Sequence, residues 1–225
     1  MIFDPLYLIL IGPAMLLALW AQMRVKSAYA KASRIPVRSG LSGAEAAQAI
    51  LRHHGLENAV SIEMVPGRLS DHYDPRNRVL RLSPEVFRGR SLASVGIAAH
   101  EVGHALQHAT NYGPLALRNG IVPLAGIGSN AAFFLFFIGL ILSMQPLILL
   151  AIILFGAVVF FQIVNLPVEF NASARAKMEL PALGIIGADE EGTVRSVLSA
   201  AAMTYVAATL TAVLTLLYFI MRARN

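Results

Sequence analysis

Between Asn119 and Val168 the chain runs for 50 residues without a charged side chain. A bilayer core needs about 20 apolar residues per helix, so this run is too long for one crossing and fits two. Met144-Gln145-Pro146 supplies the turn of a hairpin spanning roughly 122–143 and 147–166. Two more uncharged runs flank it. Pro5 to Met23 reads as an uncleaved anchor. Asp4 rather than a basic cluster precedes it, and no small-x-small cleavage site follows. Gly12-Pro13 is expected to kink it. Ser196 to Met221 is rich in Ala and Thr, which suits helix packing in lipid. A buried soluble helix is the alternative for this last run.

Composition agrees with four crossings. Hydrophobic residues make up 56% and charged ones 14%, against about 25% charged in an ordinary globular domain. The chain has no cysteine, which excludes disulfides, thiolate metal sites and cysteine nucleophiles. The net charge is +5, and 13 of the 18 Lys and Arg residues lie between Arg24 and Arg118. No reading helix and no aromatic–basic interleaving accompany them, so nucleic acid is not the expected partner. A cytoplasmic surface beside a membrane explains the excess better. Arg24, Lys26, Lys31, Arg34 and Arg38 crowd the end of the first span and place 24–118 in the cytoplasm. With four spans, 169–195 joins it and both termini lie outside. Arg222 and Arg224 run against that orientation.

The expected organisation is an anchor (1–23), a small cytoplasmic domain (24–118), a membrane hairpin (119–168), a cytoplasmic helical segment (169–195) and a last membrane helix (196–225). The fold class is a mainly α membrane protein, with four transmembrane helices and a small α+β zincin-like domain. Within that domain, Ser42 and Glu45 form a capping box, opening a helix that ends near His54 and Gly55. His53 and His54 are read as solvated groups at the helix end, since adjacent residues diverge on a helix. Residues 60–65 and 78–82 alternate like strands. A helix from about Ser91 to Ala109 follows.

That helix carries His100-Glu101-Val102-Gly103-His104, an H-E-x-x-H motif in an apolar run. Residues i and i+4 share a helix face, so both imidazoles can reach one zinc ion, and the glutamate between them can take a proton from a water on it. The motif points to peptide-bond hydrolysis. A catalytic zinc site wants a third protein ligand. His108 shares the face but lies about 12 Å along the axis from His100. Glu169 is the first charge after the 50-residue run and follows a hairpin that returns the chain to the side of the motif. Glu169 is therefore favoured over His108. Glu179 and Asp189-Glu190-Glu191 read as solvated surface.

Four segments together resemble the YugP-like neutral zinc metallopeptidases of bacterial membranes: residues 69–75, 99–105, 166–173 and 201–207. The order of zinc motif, hairpin and glutamate is also similar to HtpX-type and CAAX prenyl proteases. The resemblance implies His100, His104 and Glu169 as ligands of one Zn2+ per chain, with Glu101 as the base, the gluzincin arrangement. It implies a multi-pass bacterial inner-membrane enzyme with its site facing the cytoplasm. Protein or peptide substrates and a role in protein quality control follow from it, with a homo-oligomer or membrane partner left open. One departure stands out. The family commonly has Asp where Asn171 stands, and HtpX-type enzymes have Asp where Ser173 stands. Such an acid orients a ligand histidine through its second nitrogen, and Asn171 or Ser173 can accept that hydrogen bond instead. Arg175, His72 and Tyr73 are candidate oxyanion donors, with His72-Tyr73 placed in a loop between the strands. A strand at 60–65 or 78–82 is expected to pair with an extended substrate. The alternatives are a non-catalytic scaffold that keeps the metal for folding, favoured only by Asn171, and a zinc transporter. The transporter fits poorly, because the spans hold Asn130, Gln145, Gln162 and Asn165 but no ionisable residue at mid-membrane.

Overall fold

The computed structural model describes residues 4–224. Residues 1–3 of the expected anchor and residue 225 of the expected last span lie outside the described residues. Seven helices and three strands follow in the order α1 (Pro5–Ala32), α2 (Gly43–His53), β1 (Ser61–Met64), β2 (His72–Asp74), β3 (Val79–Leu82), α3 (Pro84–Phe87), α4 (Leu92–Ala109), α5 (Gly113–Ile141), α6 (Gln145–Ala182) and α7 (Ala188–Ala223). They divide into two compact units.

The first unit contains the chain up to Gln22, Gly113–Pro167 and the residues from Met203 on. Among the described residues, α1, α5, α6 and α7 are the four helices long and apolar enough to cross a membrane. The unit packs around Phe136, Phe155, Tyr218 and Phe219, with the Phe136 and Phe219 rings stacked at 3.9 Å. Leu16, Phe134, Ile141 and Ile153 point outward, as side chains solvated by lipid should. The hairpin turn lies two residues earlier than expected. The chain reverses at 142–144, with Ser143 at φ 54. Gln145-Pro146 already opens α6, since proline in a first turn forfeits no helical hydrogen bond.

The second unit contains Met23–Tyr112 and Val168–Ala202. Its sheet has the order β1-β3-β2, with β1 parallel and β2 antiparallel to β3. Leu80 and Leu82 of the central strand bury into a core shared with Ile50 and Leu51 of α2, Val95 and Val102 of α4, Leu180 of α6 and Val197 of α7. The Ser42–Glu45 capping box forms at the start of α2 as the sequence predicts. α4 is largely apolar outside its histidines, Glu101 and Gln107 because most of its surface is buried. Two expectations are corrected here. Residues 72–74 form an edge strand rather than a loop, paired in the register Tyr73↔Leu80. The strand at 79–82 is central, flanked on both sides, and so has no free edge for a substrate. The stretch at 72–74 is too short and polar to show alternation, and only pairing with β3 makes it a strand.

Candidate metal centre

The site lies within the second unit and rests on two helices. α4 presents His100, Glu101 and His104. α6 presents Glu169 on the same unbroken helix as the third apolar span. The two helices touch backbone to backbone at Gly103. A Cβ built there would lie 2.6 Å from the Ala172 carbonyl oxygen and 3.0 Å from its Cα. The glycine inside the motif thus permits the approach that brings a carboxylate from α6 onto the histidine face of α4.

Glu169 Oε2 lies 3.3 Å from His100 Nε2 and 3.7 Å from His104 Nε2. The two rings meet edge to face at 4.9 Å. Glu169 is 3% exposed, and its Oε2 has no hydrogen-bond partner among the described residues. Ligand distances of about 2.0–2.2 Å around a tetrahedral zinc put two donor atoms about 3.4 Å apart. The spacing here matches that figure. A buried carboxylate oxygen facing two imidazole nitrogens calls for positive charge, which a metal ion or a protonated ring can supply, and the donor set and spacing fit zinc.

The outer nitrogens decide which lone pairs face that space. His104 Nδ1 is 3.0 Å from Gln107 Oε1. The Gln107 amide nitrogen donates to the Val168 carbonyl at 2.7 Å and to Asn171 Oδ1 at 3.0 Å. Two acceptors around that nitrogen rule out a flipped amide. His104 Nδ1 therefore carries a proton, and in the neutral ring Nε2 presents its lone pair toward Glu169. His100 Nδ1 is held by Ser173 Oγ at 3.1 Å. Burial opposes charge on the His104 ring, but Glu169 and Glu101 outweigh it and raise its pKa. The pocket favours positive charge.

Glu101 is 9% exposed, and its Oε2 accepts a hydrogen bond from the Tyr73 backbone N–H at 3.2 Å. That N–H projects from β2 on the edge away from β3. The Tyr73 hydroxyl and His108 Nδ1 hydrogen bond at 2.9 Å. Burial raises the phenol's pKa and keeps it protonated. A cavity of about 360 Å³ opens against this pair, lined also by Leu56, Val60, Arg78 and Ala105. Asp71, in the loop before β2, is pushed up by burial and by the Glu101 charge, against its bonds to Ser83.

Of the residues singled out from sequence, the structure brings together His100, His104, Glu169, Glu101 and Ser173. His108 stands apart from the three donors and pairs with Tyr73. Arg175 donates to Asn171 Oδ1 at 2.9 Å and to Thr110 at 3.3 Å. His72 is exposed and bonds the Ser70 carbonyl. Asn171 bonds neither His100 nor His104 and instead holds Gln107 and Arg175. Gln107, fully buried, is the residue that sequence reasoning missed. Its signal was an amide three residues past His104 in an otherwise apolar helix.

The model of a family described as "Putative neutral zinc metallopeptidase" matches residues 7–224. The chain is 50% identical over 216 residues to the "Putative membrane protease YugP" of Bacillus subtilis (strain 168), a match covering 96% of each chain. No solved structure matches it.

Proposed function

This chain belongs to the neutral zinc metallopeptidase family, and on that footing we propose that it is a membrane-embedded zinc endopeptidase of the gluzincin type. The observation that carries the reading is the convergence of His100 Nε2, His104 Nε2 and the unpartnered Glu169 Oε2, with Glu101 beside them. His100, His104 and Glu169 would hold one Zn2+. When bound, zinc supplies a Lewis acid and brings the pKa of a water toward about 7. Glu101 takes the proton of the attacking water and delivers it to the leaving amine. The Tyr73 N–H keeps that carboxylate aimed, while Gln107 and Ser173 hold the two imidazoles with Nε2 inward. An extended substrate meets β2 on the side away from β3, beside Glu101, where the Tyr73 carbonyl is the main-chain group left to accept from it.

The basic residues from Arg24 to Arg38 support a cytoplasmic site in the bacterial inner membrane. Glu169 follows the last residue of the apolar unit by two positions, which supports substrates presented at the membrane face: damaged membrane proteins or their exposed tails. A non-catalytic scaffold drew its support from Asn171. That residue is occupied by Gln107 and Arg175, and the histidines have other hydrogen-bond partners, Ser173 and Gln107.

The test is cleavage of an unfolded model protein by purified, detergent-solubilised wild type and Glu101→Gln, each with measured zinc content. Equal zinc in both and cleavage by wild type alone supports the reading. Equal zinc and no cleavage by either favours the scaffold.

A further inference from the structure

Glu179 lies ten residues beyond Glu169 on α6 and meets two more histidines. Its side chain is 16% exposed, and its Oε1 is 2.9 Å from His54 Nε2. The His53 and His54 rings meet edge to face at 5.1 Å. One donor atom from each of the three residues lies within 4.8 Å of the other two. Adjacent side chains diverge inside a helix, but α2 ends at His53. His54 is its C-cap at φ −96 and ψ 8, and Gly55 follows at φ +66. The chain turns away after His54, both imidazoles are exposed at this helix end, and a donor atom of each lies within 4.8 Å of the Glu179 carboxylate.

We propose that His53, His54 and Glu179 form a second zinc site, separate from the catalytic one. Two imidazoles and a carboxylate are a donor set suited to zinc. Donors of one tetrahedral ion sit about 3.4 Å apart. One pair is already closer than that, and the exposed histidine side chains can rotate to close the remainder. The C-terminus of α2 carries partial negative charge, which favours a cation there. Glu179 has only His54 as an ionic partner among the described residues, so an ion replaces no other salt bridge. Among the described residues, no acceptor orients the outer nitrogens of His53 or His54, unlike His100 and His104. The second site therefore binds more weakly and exchanges with solvent. An ion in it ties α2 to the helix that carries Glu169 and stabilises the second unit.

The test is a Zn2+ titration of the untagged, detergent-solubilised, metal-depleted full chain, read by bound equivalents and melting temperature. Wild type is expected to take two equivalents, one tight and one weaker, with melting temperature still rising as the second binds. Glu179→Gln and, separately, His53→Ala should each lose the weaker equivalent and its melting shift while keeping the tight one. His100→Ala should lose the tight equivalent and keep the weaker. Glu179→Gln preserves side-chain shape, and equal melting temperatures in chelator show that the variants fold. A single equivalent in wild type would make His54–Glu179 an ion pair and nothing more. A second equivalent that survives both variants would place the ion elsewhere. Neither result depends on peptidase activity, so the proposed function stands or falls separately.

Discussion

Adding one methyl group to either of two glycines on α4 should have opposite effects. Alanine in place of a helical glycine gains about 1 kcal/mol from backbone entropy. At Gly96 the new Cβ meets only Val194 Cγ1 at 3.3 Å, the end of a side chain that can give slightly. Gly96→Ala should therefore be neutral or stabilising. At Gly103 the Cβ meets the Ala172 carbonyl oxygen at 2.6 Å, whereas ordinary contact begins at 3.4 Å. The shortfall of about 0.8 Å falls on α6 backbone, which cannot rotate away, and overpacking of this kind costs about 1–3 kcal/mol. The cost equals or exceeds the helix gain. The larger effect is on the metal centre. Ala172 lies one turn from Glu169, so any retreat of α6 carries Oε2 with it. Metal–ligand distances tolerate only about 0.2 Å. Gly103→Ala should bind zinc at least tenfold more weakly than wild type and lose activity in proportion, while Gly96→Ala keeps both. The assay is zinc affinity by competition with a chromophoric chelator, beside melting temperatures of both apo proteins. Wild-type zinc affinity in Gly103→Ala would falsify the idea that this backbone contact sets the ligand geometry.

Gln107→Leu removes the acceptor for His104 and leaves its Nδ1–H buried and unpaired. Zinc affinity should fall about 10–100-fold and stability by about 1–3 kcal/mol, measured by chelator competition and denaturant melts. Ser173→Ala should weaken zinc binding by a similar factor through His100 alone, with little change in the melting temperature of the metal-free protein. Metal removal by a chelator should lower the melting temperature, and one equivalent of Zn2+ should restore most of the loss in wild type, whereas Glu169→Ala recovers only the smaller shift of the weaker site. The Asn77 and Arg81 hydrogen bonds hold the Asp74 carboxyl below the usual carboxylate range. Its contribution to stability is present above the unfolded pKa of about 3.9 and is lost as pH falls through the lower folded value. Asp74→Asn should thus be less stable than wild type at pH 7, with the gap closing below about pH 4. An unchanged gap there would refute the assignment.

Much of this protein is legible without coordinates, because its strongest signals are local. The uncharged runs, the Ser42–Glu45 capping box and the i, i+4 histidines each depend on covalent spacing and solvent preference. Physical chemistry reads such features one segment at a time. Glu169 was also visible, as the first charge beyond an apolar run. Features made by two distant segments were not. β2 is a strand because β3 lies beside it, and its Tyr73 N–H matters because Glu101 lies within reach. Gln107 looked like one amide in an apolar helix until Val168 and Asn171 of α6 gave it two acceptors and so set the tautomer of His104. The same holds for His53 and His54. Helical spacing separates them, but both stand exposed at the end of α2 and α6 brings Glu179 alongside. Sequence by itself determined which residues can ligate, span or cap. Only the tertiary structure decided which of them meet, because hydrogen bonds and metal ligation act over about 2–3 Å between groups that lie 69 residues apart in the chain for His100 and Glu169 and 125 for His54 and Glu179.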